Sequence, residues 1–262
     1  MRFKRAIMAF VIAVVAFGFL YYLYNQTKGV DTSQFKPTDT ITTTKEPSQT
    51  TEAKAPKEVT SQSFDEVGDY YTIKAQYPDT ENGAVNEVLH AFVADQVAQF
   101  KSDTGVATMT PAEATNIGLI GGRKYLLSIE YSATIADALY GYNFLVVEDT
   151  GGAHPNHFNR TFTFASDGTE LALADLFKAD SGYLQTLSDY TIFTFKLNSS
   201  DNGIWEDGAT PKAENFSRFV VTDTGITLIF DPYQIAAYAA GTQKVTVPYS
   251  ILNPFLKDEY KK

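Results

Sequence analysis

Three histidines are spread over 262 residues, and two of them lie three apart behind a pair of glycines. The stretch reads Glu148-Asp149-Thr150-Gly151-Gly152-Ala153-His154-Pro155-Asn156-His157. Two catalytic chemistries suit these residue types. A metal reading takes Asp149, His154 and His157 as ligands. Zinc needs three or four ligands, and a catalytic site keeps a position open as well. All three would have to converge around one turn that contains a proline, so no metal and no cofactor are expected. A hydrolytic reading pairs Glu148 or Asp149 with Glu130, since glycosidases set two carboxylates across a cleft. Among 31 acidic residues such pairs arise readily, and these sit at strand ends, where solvated carboxylates are common. No catalytic residue is assigned.

A binding role asks less of the same loop. Gly151 and Gly152 suit a turn between two strands, because glycine reaches positive φ without a Cβ clash. Pro155 biases His154 toward an extended backbone, which presents the imidazole at a set angle. Gly151, Gly152, Ala153, His154 and Pro155 are therefore candidate contact residues. A strand-connecting turn in which His154 bonds backbone groups across the loop fits equally well, and the two roles are compatible. Trp205, the single tryptophan, lies in a polar, glycine-containing stretch from 198 to 213, and an exposed aromatic is a typical interface anchor. Tyr233 and Tyr238, beside Pro232, read as packing residues or as further surface anchors.

The elements around these residues read as hairpins with interspersed helices. Asp69 to Tyr77 has strand composition. Asp79-Thr80 offers an N-cap for a helix from Glu81 to about Ser102, with Val85, Val88, Leu89 and Phe92 on one face. Alternating runs follow at 123–135, 139–148 and 158–165, and the candidate loop joins the last two. Segments 171–177 and 183–195 read as helical. A hairpin spans 216–230 around the turn Asp223-Thr224-Gly225. A short helix is expected over 234–240, a strand over 244–247 and a last helix over 251–260. The strands and helices do not alternate as βαβ units, so the fold class is α+β with a largely antiparallel sheet and packed helices.

Composition narrows the setting. The chain has no cysteine, which removes disulfides, thiolate sites and cysteine nucleophiles. Its net charge of −10 argues against nucleic acid, which is bound by neutralising phosphates. Arg2, Lys4 and Arg5 precede an apolar run, 6–24, that is about 28 Å long as a helix. Basic residues ahead of the run predict a signal anchor over 1–25, single-pass, with the N-terminus cytoplasmic and the rest extracytoplasmic. Tyr21, Tyr22 and Tyr24 would lie in the far interface. Residues 26–63, rich in Thr and Pro and poor in apolar side chains, read as a disordered linker.

Several motifs together resemble a known family. The Gly-Gly-Ala-His loop after an aromatic strand is followed by Gly168-Thr169-Glu170-Leu171-Ala172-Leu173-Ala174-Asp175-Leu176-Phe177. Later come Gly225 to Tyr233, Tyr238-Ala239-Ala240-Gly241 and Val245-Thr246-Val247-Pro248-Tyr249. In this order they resemble the ectodomain of the RsiV-type anti-sigma factors, which is also found beside the catalytic domain of PdaC-type peptidoglycan deacetylases. Residues 64–110 resemble the small strand-helix unit that usually precedes it, leaving 111–262 as the RsiV-like C-terminal domain. The resemblance implies an extracytoplasmic recognition domain at a bacterial cell envelope, not a catalyst, with a lysozyme-like wall hydrolase or peptidoglycan as partner. Five residues ahead of the apolar run are too few to hold a sigma factor, and no deacetylase domain is expected. Acidity suits the first partner and aromatic rings around a groove suit the second. The alternatives are a wall hydrolase or deacetylase-like enzyme, and a scaffold of the envelope without a ligand. Oligomeric state is not legible.

Overall fold

The computed structural model describes residues 59–119, 121–198 and 204–262. The apolar run at 6–24 and the linker as far as residue 58 lie outside the described residues, as do 199–203 of the Trp205 stretch. No described helix is long and apolar enough to cross a membrane.

Among the described residues, eight strands form two sheets. The first has five, in the order β1 (Thr60–Val67), β2 (Tyr71–Asp79), β3 (Tyr125–Ala136), β4 (Leu139–Asp149) and β5 (Asn156–Ala165). Neighbours are antiparallel except β2 and β3, which run parallel. Residues 80–124 make that crossover and carry helix α1 (Gly83–Thr104) and the short α2 (Pro111–Asn116). The expectation of no βαβ unit is therefore corrected. A parallel pair needs a crossover of a dozen or more residues, and α1 supplies it. The sheet is also continuous across residue 110, with β2 on one side of that position and β3 on the other.

α1 packs on one face of this sheet through Val85, Leu89, Val93 and Phe100, the i, i+4 stripe of an amphipathic helix. Opposite them lie Tyr71, Ile73 and Ala75 of β2, then Leu127, Ile129, Phe144 and Phe162. Phe92 meets Phe144 and Phe162 edge-on at 5.2 and 5.5 Å. Each fully buried ring of this set contributes about 2–3 kcal/mol of transfer free energy. The N-cap of α1 is Asn82, whose Oδ1 accepts from the backbone N–H of Ala84 and Val85. Asp79 and Thr80, the expected cap, instead hold the side chain of Asn86.

The second sheet runs β6 (Phe219–Thr222), β7 (Gly225–Phe230), β8 (Gln243–Pro248), all antiparallel. With α3 (Tyr183–Asn198) and α4 (Tyr249–Leu252) it builds a second core around Leu187, Phe216, Leu228, Phe230, Val247 and Leu252. β6 lies against the face of the first sheet opposite α1, near the hairpin end of β3 and β4. Ala136 and Leu139 belong to this second core, and the backbone N–H of Phe219 donates to Thr161 Oγ1 at 3.0 Å. The result is the α+β class with mostly antiparallel pairing.

Four boundaries differ from the sequence reading. β1 starts at Thr60, inside the expected linker, because an edge strand needs backbone pairing rather than apolar side chains. Six consecutive exposed residues of β1 pair with β2 from Thr60↔Asp79 onward. The helix expected over 171–177 is one 3₁₀ turn, Leu173–Leu176, with the Asp175 carboxylate accepting from the Ala172 N–H. The helix expected over 234–240 is one 3₁₀ turn, Tyr238–Ala240, because Ala237 ahead of it is extended at φ −62° and ψ 156°. The last helix stops at Leu252, two residues before Pro254, and a 3₁₀ turn follows at Asp258–Tyr260.

Candidate functional site

The β4–β5 connection carries the first group of candidate residues. Gly151 has φ 84°, and its N–H donates to Asp149 Oδ1 at 2.9 Å. A Cβ at this position would stand 2.9 Å from the mobile end of the Arg123 side chain, which can swing aside, so it is the positive φ that calls for glycine. Gly152, Ala153, His154 and Pro155 are exposed. The His154 ring is fixed chiefly by Tyr238: the two stack with centroids 3.7 Å apart and planes at 19°. The Tyr238 hydroxyl donates to the carbonyl of Pro155. Its proton being used there, the hydroxyl can only accept from His157 Nδ1, 3.3 Å away, which assigns the proton to that nitrogen.

Tyr238 is also the start of a line of rings. Tyr233 lies 5.7 Å from it, and Trp205 lies 6.4 Å from Tyr233 with planes only 10° apart. Trp205 is 46% exposed and Tyr233 58%. The structure thus gathers the loop residues, Trp205, Tyr233 and Tyr238 into one surface strip, although they come from stretches some 30–80 residues apart in the chain.

A polar network beneath holds the strip. Asp231 Oδ1 accepts from both the backbone N–H and the side-chain amide of Asn159, at 2.9 and 2.8 Å. Asp231 Oδ2 lies 3.3 Å from Arg218 Nε, an ion-pair distance without the alignment of a hydrogen bond. Arg218 donates onward to Gln234 Oε1. Gln234 Nε2 in turn donates to the carbonyls of Gly208 and Asn215. The backbone N–H of Trp205 donates to the Ile235 carbonyl at 2.9 Å. Gly208 permits this seating, since a Cβ there would fall 1.9 Å from the Gln234 carbonyl oxygen. Asn159, Arg218 and Arg123 were not among the residues singled out from the sequence. Their part depends on contacts across 16 to 72 residues, for which composition carries no signal.

The carboxylates weighed for a hydrolytic pair do not line one cleft. Glu148 is the register partner of Leu127, so it points to the α1 side of the sheet, whereas Glu130 points to the other side. Asp149 shares a face with Glu130, but four residues of strand separate them, about 13 Å. Glycosidase carboxylates stand roughly 5–9.5 Å apart. Asp149, His154 and His157 are engaged with Gly151, Tyr238 and Pro155 rather than with one another. Among the described residues no three His, Asp or Glu side chains are placed to hold a metal ion.

Burial, with a smaller push from Asp103, holds the Glu148 carboxyl above its ordinary range. A raised carboxyl pKa in the folded state contributes stability that is full below the unfolded value near 4.5 and is lost as pH rises through the folded one. Glu148→Gln is therefore expected to raise Tm at pH 7 by about 1–3 °C and to leave it unchanged at pH 4. Thermal scans of both proteins across pH check this, and parallel Tm curves would contradict it.

These features define a mixed α+β domain with an exposed aromatic strip. Residues 174–250 match the family model described as "Protein of unknown function (DUF3298)". Over 203 residues the chain is 29% identical to the peptidoglycan-N-acetylmuramic acid deacetylase PdaC of Bacillus subtilis (strain 168), and the match takes in 74% of this chain. The chain spans 40% of that relative's length. Two crystal structures share the fold. A DUF3298 family protein from Pseudomonas aeruginosa PAO1 aligns with TM-score 0.58 and 13% identity, over 80% of this chain and 99% of that one. A member of the same family from Bacteroides fragilis NCTC 9343 aligns with TM-score 0.55 and 19% identity, over 77% and 95%.

Proposed function

We propose that this chain carries an extracytoplasmic recognition domain of the cell envelope, held at the membrane by residues 6–24. In this reading it binds peptidoglycan through the strip formed by Trp205, Tyr233, Tyr238 and His154. The observation that carries the reading is that the four rings are contiguous and two of them are about half exposed. Exposed flat rings with an electron-rich face suit the C–H faces of sugars. The relationship to a peptidoglycan deacetylase supports the choice of ligand. A second reading, a lysozyme-like wall hydrolase as partner, is favoured by the net charge of −10, which would steer a basic protein.

Co-sedimentation of the chain with purified peptidoglycan tests the first reading, and calorimetry with hen lysozyme at low and high salt tests the second. Retention on the glycan that persists in high salt is expected. Micromolar binding of lysozyme that weakens with salt, without retention on peptidoglycan, would transfer the role to the protein partner.

A further inference from the structure

The register of the first sheet places five side chains in one row across all five strands. Asp65 pairs with Lys74, Lys74 with Ser128, Ser128 with Val147 and Val147 with His157. Paired residues point to the same face, and this is the face away from α1. The second sheet covers it only at the hairpin end of β3 and β4, so Asp65 and Lys74 are exposed and Ser128, Val147 and His157 are partly so. Over β1 to β3 the surface is concave, a trough of about 510 Å³ lined by Asp65, Thr72, Lys74, Gln76, Ser128 and Glu130 among others, and Val147 and His157 continue the row beyond it. At the β5 end the row runs directly into the aromatic strip, because the His157 ring meets Tyr238 edge-on at 5.3 Å.

We infer that the trough and the aromatic strip are one extended site, and that it takes a linear β-1,4-linked amino-sugar chain lying across the strands. The inference rests on the peptidoglycan reading above and adds where the polymer runs and how much of it is read. Strands lie about 4.8 Å apart, close to the advance per sugar of such a chain, so successive sugars meet successive strands. The trough offers hydroxyl, amide, ammonium and carboxylate groups that match ring hydroxyls and acetamido groups. It has few large apolar side chains at its centre, where a protein partner would require them. Rings at one end, Val147 beside them and hydrogen-bonding groups over β1 to β3 suit a polymer whose sugars stack at one end and bond edge-on at the other.

The test is calorimetric titration of the full chain, kept in detergent, with β-1,4-linked N-acetylglucosamine oligomers of two to six sugars. Affinity is expected to rise about tenfold or more from the dimer to the hexamer. Ser128→Arg, which lays a long side chain over the trough floor, should bring the hexamer down to the affinity of the dimer and leave the dimer unaffected. Lys74→Ala, on an exposed position that does not endanger folding, should lower hexamer affinity alone. If the oligomers bind with an affinity independent of length and of both substitutions, the extended site is wrong while the aromatic strip stands. If neither the oligomers nor whole peptidoglycan are bound, the glycan reading falls and the extended site with it.

Discussion

Trp205→Ala is expected to lower affinity for peptidoglycan about 30-fold, roughly 2 kcal/mol, with Tm changed by less than about 1 °C. The two effects separate because the indole is about half exposed, whereas the backbone N–H that seats the segment on Ile235 is untouched by the substitution. Tyr233→Ala should act in the same direction, since its ring bridges Trp205 and Tyr238. Tyr238 needs a paired control. Tyr238→Ala removes the ring that stacks on His154 and also the hydroxyl bonded to Pro155, so it loosens the loop as well as the surface. Tyr238→Phe keeps the ring and should retain most of the binding. Wild-type retention by Trp205→Ala would remove the strip from the recognition surface.

Asp231→Ala should have the largest effect on the fold. It leaves the amide of buried Asn159 and the Arg218 guanidinium without the carboxylate that serves both. Uncompensated groups of this kind cost about 3 kcal/mol, or about 6–12 °C in Tm for a domain of this size. Binding should be lost at the same time, because the segments bearing Trp205, Tyr233 and Tyr238 are tied together through Asp231, Arg218 and Gln234. Asp231→Asn, which preserves one acceptor, should fall between the two. Calorimetric melting and co-sedimentation on the same samples check both halves, and an unchanged Tm would show that the network does not carry the segment.

Much of the local structure is legible in the residues. The glycine pair after Val147, Asp223-Thr224-Gly225 and the alternation along Tyr125 to Tyr131 mark hairpins and strands whose determinants are neighbours in the chain. What is not legible is non-local. The polar stretch at residues 60–63 has no strand signal, because its pairing to residues 76–79 comes from the partner's backbone. The parallel pairing of β2 with β3 depends on where α1 delivers the chain. For the site, His154, Trp205, Tyr233 and Tyr238 stand out individually as exposed or loop-borne rings. Their contact is a property of the Asp231 network, which only the folded arrangement exposes. The carboxylate pairs mislead for a related reason. Proximity in sequence says nothing about the side of the sheet, and one step of register sends Glu148 and Glu130 to opposite faces.

The parallel pairing of β2 with β3 also bears on how the domain forms. The β1–β2 and β3–β4–β5 ribbons are local and can close early, but they join only after residues 80–124 have looped across. The entropy of closing that loop is lost before any β2–β3 contact returns it. Such topology slows folding relative to a helical domain of similar size. The row from Asp65 to His157 spans that junction. A chain stalled with the two ribbons apart would keep most of its strand content yet offer no continuous groove, so the appearance of ligand binding during refolding should lag behind the recovery of secondary structure.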